Sequence, residues 1–153
     1  MSKHMGALRG IVIATLAATA SIAFAATPAQ EKAFVDNYRK AFETKDAKAL
    51  QAFLYTKGAD PRALEFYKMM LVPDADDKLT SITLVDLTAE DVKKLAEGKT
   101  PEGKPMKMNL KPIKKLIIKT NSKTANGSSS GSSESFIAES DGKLVMPVPA
   151  LEK

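Results

Sequence analysis

The sequence contains no cysteine and only one histidine, His4, among its 153 residues. Without cysteine the chain has no disulfide, no thiolate nucleophile and no cysteine metal site, so packing must hold the fold. His4 lies in an amino-terminal stretch that we expect to be removed on export. The remaining chain then lacks the usual general base, a Ser-His-Asp triad and nearly all zinc sites.

The amino terminus has the features of a secretory signal peptide. Lys3 and Arg9 precede an uncharged apolar run from 11 to 25, which ends in an Ala-x-Ala cleavage pattern. A membrane-spanning helix needs about 20 strongly apolar residues, and this run is shorter and rich in Ala and Thr. We therefore expect a signal peptide at 1–25 with cleavage near Ala25. The product should be soluble, periplasmic or secreted, and without a transmembrane anchor.

The basic charge of the chain is concentrated in one region. The whole chain carries +5, and the loss of Lys3 and Arg9 leaves +3. Residues 99–123 hold eight lysines and a single acid, Glu102. Such a stripe can meet an anionic envelope polymer, anionic lipid or an acidic partner protein. The residues that we expect to make such contacts are Lys111, Lys114, Lys115 and Lys119.

Two other interpretations bear on the same stripe. Its lysines can be a solvated strand edge that is protected against pairing with other strands. Binding to nucleic acid is not indicated, because the stripe has neither arginine forks nor interleaved aromatic residues to read bases.

The first half of the exported chain has the pattern of three helices. Thr27 followed by Pro28 and Gln30 predicts a capped helix start. The helix that follows carries an apolar stripe, which predicts a buried face. The stripe consists of Phe34, Val35, Tyr38, Ala41 and Phe42. Asp46 should cap a second helix over 47–55, and Asp60-Pro61 should start a third that ends before Pro73.

The second half has the pattern of strands separated by turns. A brief helix from Thr88 to Gly98 interrupts it, and 99–110 should be mostly loop. Asp141-Gly142 should form a tight hairpin turn, and the prolines at 147 and 149 should end the last strand. The predicted strands are 79–87, 113–120, 134–140 and 143–148, with a Ser/Gly-rich loop at 121–133.

Helices first and strands afterwards predict an α+β fold. We expect one domain at 26–153, in which amino-terminal helices pack on a curved antiparallel sheet. The concave side of such a sheet can hold a ligand.

Two segments resemble a known superfamily. The segment FVDNYRKAFETKDAKALQAFLYTKGAD at 34–60 is similar to the opening of the nuclear-transport-factor-2-like or cystatin-like cone superfamily. The segment ESFIAESDGKLVMPV at 134–148 resembles the terminal hairpin of its small exported members. The resemblance implies helices that close over a curved sheet to leave a pocket, and dimerisation through the sheet. Such pockets serve isomerases, dehydratases and binding proteins alike, so fold does not settle function.

A cofactor-free acid/base enzyme is one use of such a pocket. Strand alternation puts Asp86 on the face of Ile82 and Leu84, where burial would raise its pKa towards that of a useful base. Tyr38, Tyr55 and Tyr67 would be the hydrogen-bond donors, as in isomerase-like sites built from carboxylates and tyrosines. The alternative is that Asp86 lies in water at a strand end and the tyrosines are core rings.

The function that we expect first is binding without catalysis. The exported domain would hold a small apolar or anionic ligand, or a partner protein of the cell envelope, through a pocket with aromatic walls. The residues expected to form it are Tyr38, Phe42, Tyr55 and Tyr67. The sequence indicates no cofactor and no metal site. The alternatives are the isomerase- or dehydratase-like enzyme, and a structural envelope protein whose Lys-rich strand binds anionic polymer.

Overall fold

The computed structural model describes residues 26–99, 105–125 and 127–151. In these ranges the helices are α1 (Pro28–Glu43), α2 (Ala47–Gln51), α3 (Pro61–Met70) and α4 (Ala89–Glu97). Each begins at a side chain that accepts the backbone N–H of the third residue after it. These capping residues are Thr27, Asp46, Asp60 and Thr88. All four helix starts predicted from the sequence are therefore confirmed, since such caps satisfy N–H groups without a partner inside the helix.

The strands in the described ranges form two sheets. They are β1 (Leu54–Tyr55), β2 (Asp77–Asp86), β3 (Met106–Met108), β4 (Lys114–Thr124), β5 (Gly127–Ser140), β6 (Lys143–Pro147) and β7 (Pro149–Leu151). The larger sheet has the order β1-β6-β5-β4-β2, and β3 pairs with β7 in the smaller one. The predicted α+β class is confirmed.

The larger sheet is mixed: the predicted antiparallel pairing joins β2, β4, β5 and β6, and β1 adds one parallel strand at the edge that the sequence does not predict. β1 runs parallel to β6, with Leu54 opposite Met146, while the other neighbours are antiparallel. The reason is that the predicted second helix ends early. Ala52 is its C-cap, and the chain then extends so that Phe53 accepts a hydrogen bond from the Met146 N–H at 2.8 Å.

The core lies between α1 and one face of the larger sheet. On that face Ile82 pairs with Ile118 and Leu84 with Leu116, so apolar side chains meet across neighbouring strands. The predicted stripe of α1 covers them: Phe34, Tyr38, Ala41 and Phe42 are buried, and Val35 is half-buried. The buried face predicted for this helix is confirmed.

The predicted Ser/Gly-rich loop at 121–133 is instead part of a long hairpin. β4 and β5 pair continuously from Lys114 and Ile137 out to Thr124 and Gly127. Glycine has low strand propensity, but the register that begins at the apolar part of β4 continues outward, so that Ser128 to Ser133 pair with Lys123 to Ile118. The hydroxyls of Ser122 and Ser129 also lie 2.9 Å apart across the pair.

Pro147 ends its strand as the sequence predicts, whereas Pro149 begins a further strand instead of ending the sheet. Pro147 is the last residue of β6 and Pro149 the first of β7. Each occupies the end of a strand, where a missing N–H interrupts no interior ladder bond. β3 falls inside the region predicted as loop, and residues 100–104 of that region lie outside the described ranges.

No helix in the part of the chain that the structure describes is long and apolar enough to cross a membrane. The predicted signal peptide and its cleavage site lie outside the described residues.

Candidate functional site

A cleft of about 350 Å³ opens between the helices and the larger sheet. We call it the helix–sheet cleft. One wall is α1, a second is the end of α3 with the turn after it, and the third is the hairpin of β4 and β5. Its lining residues are Tyr38 and Phe42 of α1, Met69 to Asp74 with Asp77, and Ile118, Thr120, Gly131, Ser132 and Ser133 of the hairpin.

Tyr38 is the most deeply buried polar side chain of this cleft. The residue is only 2% exposed, and its ring packs against those of Phe34 and Phe53, with centroids 6.3 and 5.3 Å away, while those two rings lie 5.2 Å from each other. Its hydroxyl forms no hydrogen bond with any residue that the structure describes. Among the same residues, no polar side-chain atom without a hydrogen-bond partner is completely shielded from solvent. The hydroxyl therefore reaches solvent, and the cleft is the opening that Tyr38 lines.

The ionisation state of Tyr38 follows from the same burial. Removal from water disfavours the phenolate and raises the pKa of Tyr38 to about 12. At neutral pH the hydroxyl is protonated and can both donate and accept a hydrogen bond. The floor of the cleft thus holds an uncharged polar group that is available to a ligand.

The rim of the cleft is fixed by Lys45. This residue follows α1 in the left-handed conformation, with φ of 54°, and its ammonium lies 4.9 Å from the centroid of the Phe42 ring. Its Nζ donates to the backbone carbonyls of Asp74, at 2.9 Å, and of Asp77. One lysine therefore ties the turn between α3 and β2 to the end of α1, and leaves the two carboxylates of that turn at the cleft.

The hairpin wall supplies hydroxyl groups. Thr120 lies opposite Gly131 in the register, and Ser133 lies opposite Ile118. A Cβ at position 131 would come within 3.1 Å of the Thr120 Oγ1, so glycine keeps space beside that hydroxyl. This wall can donate hydrogen bonds to a ligand and accept them.

Apolar side chains at the end of α3 remain open to solvent beside the cleft. Met69 is 68% exposed, Met70 62% and Val72 42%. Thioether side chains adapt their shape to irregular contacts. The entrance of the cleft is therefore apolar, its floor consists of the rings of Tyr38 and Phe42, and the adjoining turn carries Asp74 and Asp77.

A second depression, of about 430 Å³, lies on the other side of α1 near the Asp141-Gly142 turn. Its polar groups are partly engaged: the Gln30 Nε2 donates to the Gly142 carbonyl at 2.6 Å. None of its described lining residues is a polar side chain that is as deeply buried as Tyr38 and has no hydrogen-bond partner. We therefore take the helix–sheet cleft as the candidate site.

The structure brings together only two of the four residues predicted to form an aromatic pocket. Tyr38 and Phe42 line the cleft, whereas Tyr55 and Tyr67 do not. Tyr55 is in β1 and half-buried, and its carbonyl accepts a hydrogen bond from the Asn109 side chain at 2.7 Å. Tyr67 of α3 packs against the core, and this burial raises its pKa.

Asp86 is the last residue of β2, and its expected burial is wrong. The register does place it on the face of Ile82 and Leu84, as predicted. The side chain is nevertheless 91% exposed, because the strand and the layer above it end there, and Lys114 Nζ lies 2.9 Å from its carboxylate. It is also distant from the cleft: Asp77 at the cleft is the first residue of the same strand, about 30 Å away at the usual rise per residue.

The four lysines of the predicted anionic contact surface do not lie together. Lys114 lies 2.9 Å from Glu31 and Asp86, and Lys115 lies 3.1 Å from Asp91 and Glu134. The hydrogen bonds that the two ammonium groups donate to these carboxylates, chiefly to Glu31 and Asp91, raise the pKa of both lysines.

Neighbouring residues of a strand point to opposite faces, so Lys114 and Lys115 cannot share a surface. Lys119 is exposed further along β4, and Lys111 precedes the strand. Two of the four charges are therefore already neutralised by the protein's own carboxylates.

Sequence reasoning missed the acidic and hydroxyl walls of the cleft. Asp74 and Asp77 have the pattern of an exposed turn, and they do form one, with the Asp77 N–H donating to the Asp74 carbonyl at 3.1 Å. A weak signal for the apolar entrance exists in the run Met-Met-Leu-Val directly before Pro73, which is longer than one helix face requires. No local signal places Thr120 or Ser133 beside Tyr38, because their proximity depends on the sheet register.

The described residues contain no group of three or more His, Cys, Asp or Glu side chains that could hold a metal ion. No protein-family model, curated protein or solved structure matches this chain. The case for a function therefore depends on the geometry of the cleft itself.

Proposed function

We propose that this protein is an exported, non-catalytic domain that binds a small ligand in the helix–sheet cleft. The ligand has an apolar body, a neutral hydrogen-bonding group at one end and a neutral or cationic group at the other. The observation that carries the proposal is the Tyr38 hydroxyl, which is deeply buried, unpartnered among the described residues and open to the cleft. A ligand that replaces water at this hydroxyl gains a hydrogen bond in surroundings of low dielectric constant, where such a bond is stronger than in water.

The apolar body follows from the floor and entrance of the cleft. Phe42, Leu71 and Ile118 line it together with the ring of Tyr38. Binding sites for small molecules combine such apolar walls with a few polar groups that fix orientation. The arrangement of helices over a sheet is also the one that the superfamily resemblance implies, which supports a ligand between the two layers.

The charge of the ligand follows from the ionisable residues of the cleft. Its lining includes two carboxylates, Asp74 and Asp77, and no lysine or arginine. Lys45 Nζ, at the rim, donates to the uncharged carbonyls of both aspartates and keeps its own charge, so two negative charges face one positive charge here. An anionic ligand would meet like charges at the rim, so the anionic part of our expectation from the sequence does not suit this cleft.

Tyramine is a suitable probe, because it joins a phenol, an apolar ring and an ammonium group. We expect tyramine to bind with its phenol at Tyr38 and its ammonium at the aspartates. Tyr38→Phe should weaken its binding about fivefold, the value of one hydrogen bond. Binding would be measured by NMR titration. The two matched comparison ligands are 2-phenylethylamine, which lacks the phenol hydroxyl, and 4-hydroxyphenylacetate, which replaces the ammonium with a carboxylate.

The comparison ligands separate the two ends of the site. Tyr38→Phe should leave the affinity for 2-phenylethylamine unchanged, and 4-hydroxyphenylacetate should bind more weakly than tyramine. Asp74→Asn should reduce tyramine binding, whereas Asp76→Asn is the control, since Asp76 is exposed in the same turn and does not line the cleft. Equal binding of all three ligands, or an equal effect of Tyr38→Phe on both amines, would contradict the proposal.

A further inference from the structure

A second concave surface lies along α4, away from the helix–sheet cleft. It has a volume of about 540 Å³ and runs between α4 and the segment 107–112. We call it the α4 groove. Val92, Leu95 and Ala96 form one side, and the other side includes Met108 and Leu110. Nearly all of its surface comes from apolar side chains.

The apolar stripe of α4 is only partly covered: Val92 and Ala96 are exposed, and Leu95 is half-buried. Val92, Leu95 and Ala96 follow the spacing of one helical face, and the charged residues of the helix lie elsewhere. In a globular protein such a stripe normally packs on the core. Here the only buried residue of α4 is Asp91, while Val92 is 54% exposed. The helix therefore presents its apolar face to the groove and not to a core.

Polar contacts at both ends hold α4 in place without filling the groove. At the amino end, Asp91 closes a capping box with Thr88 and lies 3.1 Å from the Lys115 ammonium. At the carboxyl end, Gly98 adopts the left-handed conformation, and its carbonyl accepts the Met106 N–H at 2.6 Å. The two walls are thus fixed relative to each other, which lowers the cost of ordering them around a ligand.

The charge beside the α4 groove is positive. Lys107 and Lys111 line it, both are exposed, and neither forms an ion pair with any residue in the described ranges. The exposed acids of α4 are already engaged, because Glu90 lies 2.8 Å from Lys94 and Glu97 lies 3.9 Å from Lys93. The groove therefore combines an apolar trough with two lysines that have no ion-pair partner in the part of the chain that the structure describes.

We propose that the α4 groove binds a single-chain anionic amphiphile of the long-chain carboxylate class. The alkyl chain would lie against Val92 and Leu95, and the carboxylate would be held by Lys107 and Lys111. A site of this kind is distinct from the helix–sheet cleft, and the inference does not depend on the proposed function. The ligand of the α4 groove is anionic, whereas the helix–sheet cleft favours a neutral or cationic group.

Charge complementarity favours this occupant over two others. A second copy of the chain docking α4 groove to α4 groove would bring four lysines together, which is repulsive. A partner helix would find only a short wall, since the nine residues of α4 span about 13 Å. A carboxylate with a flexible chain satisfies both the length and the charge of the groove.

Decanoate is the probe for this site, used at concentrations where it is monomeric. We expect NMR titration of the full-length exported chain to shift the amides of Val92, Leu95 and Lys111. The double variant Lys107→Gln/Lys111→Gln should weaken decanoate binding about fivefold. This corresponds to the loss of about 0.5 kcal/mol of binding free energy for each exposed charge. Decyltrimethylammonium, with the same chain and the opposite charge, should bind at least tenfold more weakly than decanoate.

A matched variant controls for the loss of net charge. Lys119→Gln/Lys123→Gln removes the same charge from exposed positions of β4 outside the groove, and should change decanoate affinity less than twofold. Val92→Asp places a carboxylate in the groove at a position that is 54% exposed, and should abolish binding while the circular dichroism spectrum stays unchanged.

Several results would overturn this inference. They are equal binding of decanoate and decyltrimethylammonium, shifts confined to the helix–sheet cleft, no effect of Lys107→Gln/Lys111→Gln, or binding to phosphatidylglycerol vesicles without binding to monomeric decanoate. Dimerisation that Val92→Asp abolishes would instead assign the groove to a second copy of the chain.

Discussion

Helices α1 and α4 both begin at a threonine capping box and both carry an apolar stripe, yet only α1 buries its stripe. α1 contributes Phe34, Tyr38, Ala41 and Phe42 to the core, whereas the only buried residue of α4 is a carboxylate. Capping and periodicity therefore determine that a helix forms and which face is apolar. They do not determine what covers that face. In this protein, buried residues of α1 line the helix–sheet cleft, and the apolar face of α4 forms one wall of the α4 groove.

Truncations to alanine on the apolar stripes of the two helices should differ most in their effect on stability. Phe34→Ala should lower the free energy of unfolding by about 3–5 kcal/mol, because it leaves a cavity beside Tyr38 and Phe53. Val92→Ala shortens a side chain that is mostly in water, so it should change the free energy of unfolding by no more than about 0.5 kcal/mol. Urea denaturation of the two variants measures both values. A loss of several kcal/mol in Val92→Ala would show that α4 packs on a core after all.

Two glycines with positive φ test how tightly the end of α4 is held. Gly98 has φ of 39°, and a Cβ there would lie 2.4 Å from the Met106 carbonyl oxygen. Gly58 has φ of 70° and no atom within 4 Å of its Cβ position. Gly58→Ala should cost about 1–2 kcal/mol for the left-handed backbone alone.

Gly98→Ala should cost about 2–4 kcal/mol, since the backbone of β3 must also move. Amide exchange should show this loss in α4 and β3 and not in α1. Equal costs for the two glycine variants would mean that the contact between Gly98 and Met106 is looser than the structure has it.

The smallest expected effect is a dependence of α4 on acid pH. The Thr88 N–H, the Thr88 hydroxyl and the Lys115 ammonium all favour the carboxylate of Asp91 and lower its pKa from 3.8 to about 2. Because the pKa is lower in the folded state, the stabilisation by Asp91 is present above about pH 4. It is lost as the pH falls through 2.

Amide exchange of α4 between pH 5 and pH 2 measures this dependence. Asp91→Asn should remove most of it. Glu90→Gln is the control, because Glu90 is exposed and bonded only to Lys94, so it should alter the profile little and mainly at low salt. A profile that is unchanged in Asp91→Asn would contradict the role given to this carboxylate.

The sequence predicts local structure well where side chain and backbone interact within one turn. Thr27, Asp46, Asp60 and Thr88 are recognisable as caps because the partner N–H is three residues away. The stripe of α1 likewise places Tyr38 and Phe42 in a shared surface. These are the two cleft residues that the sequence predicts.

The rest of the site depends on contacts between distant segments. Alternation identifies the face of Asp86 but not the end of the layer that would cover it, so its burial is overestimated. The hairpin at 121–133 forms through pairing with β4, which serine and glycine content does not reveal. The acidic turn is held at the cleft by the hydrogen bond from Lys45 Nζ to the Asp74 carbonyl. These residues are 29 positions apart in the sequence, so no local pattern predicts this bond.

Titration of the ¹⁵N-labelled protein with tyramine and with decanoate, separately and together, decides whether it has two independent binding surfaces of opposite charge preference. Tyramine should shift the amides of Thr120 and Ser133, and Tyr38→Phe should weaken these shifts. Decanoate should shift the amides of Val92 and Leu95, and neither ligand should displace the other. If both ligands shift the same residues, or tyramine produces no shift at the helix–sheet cleft, the assignment of two separate sites is wrong.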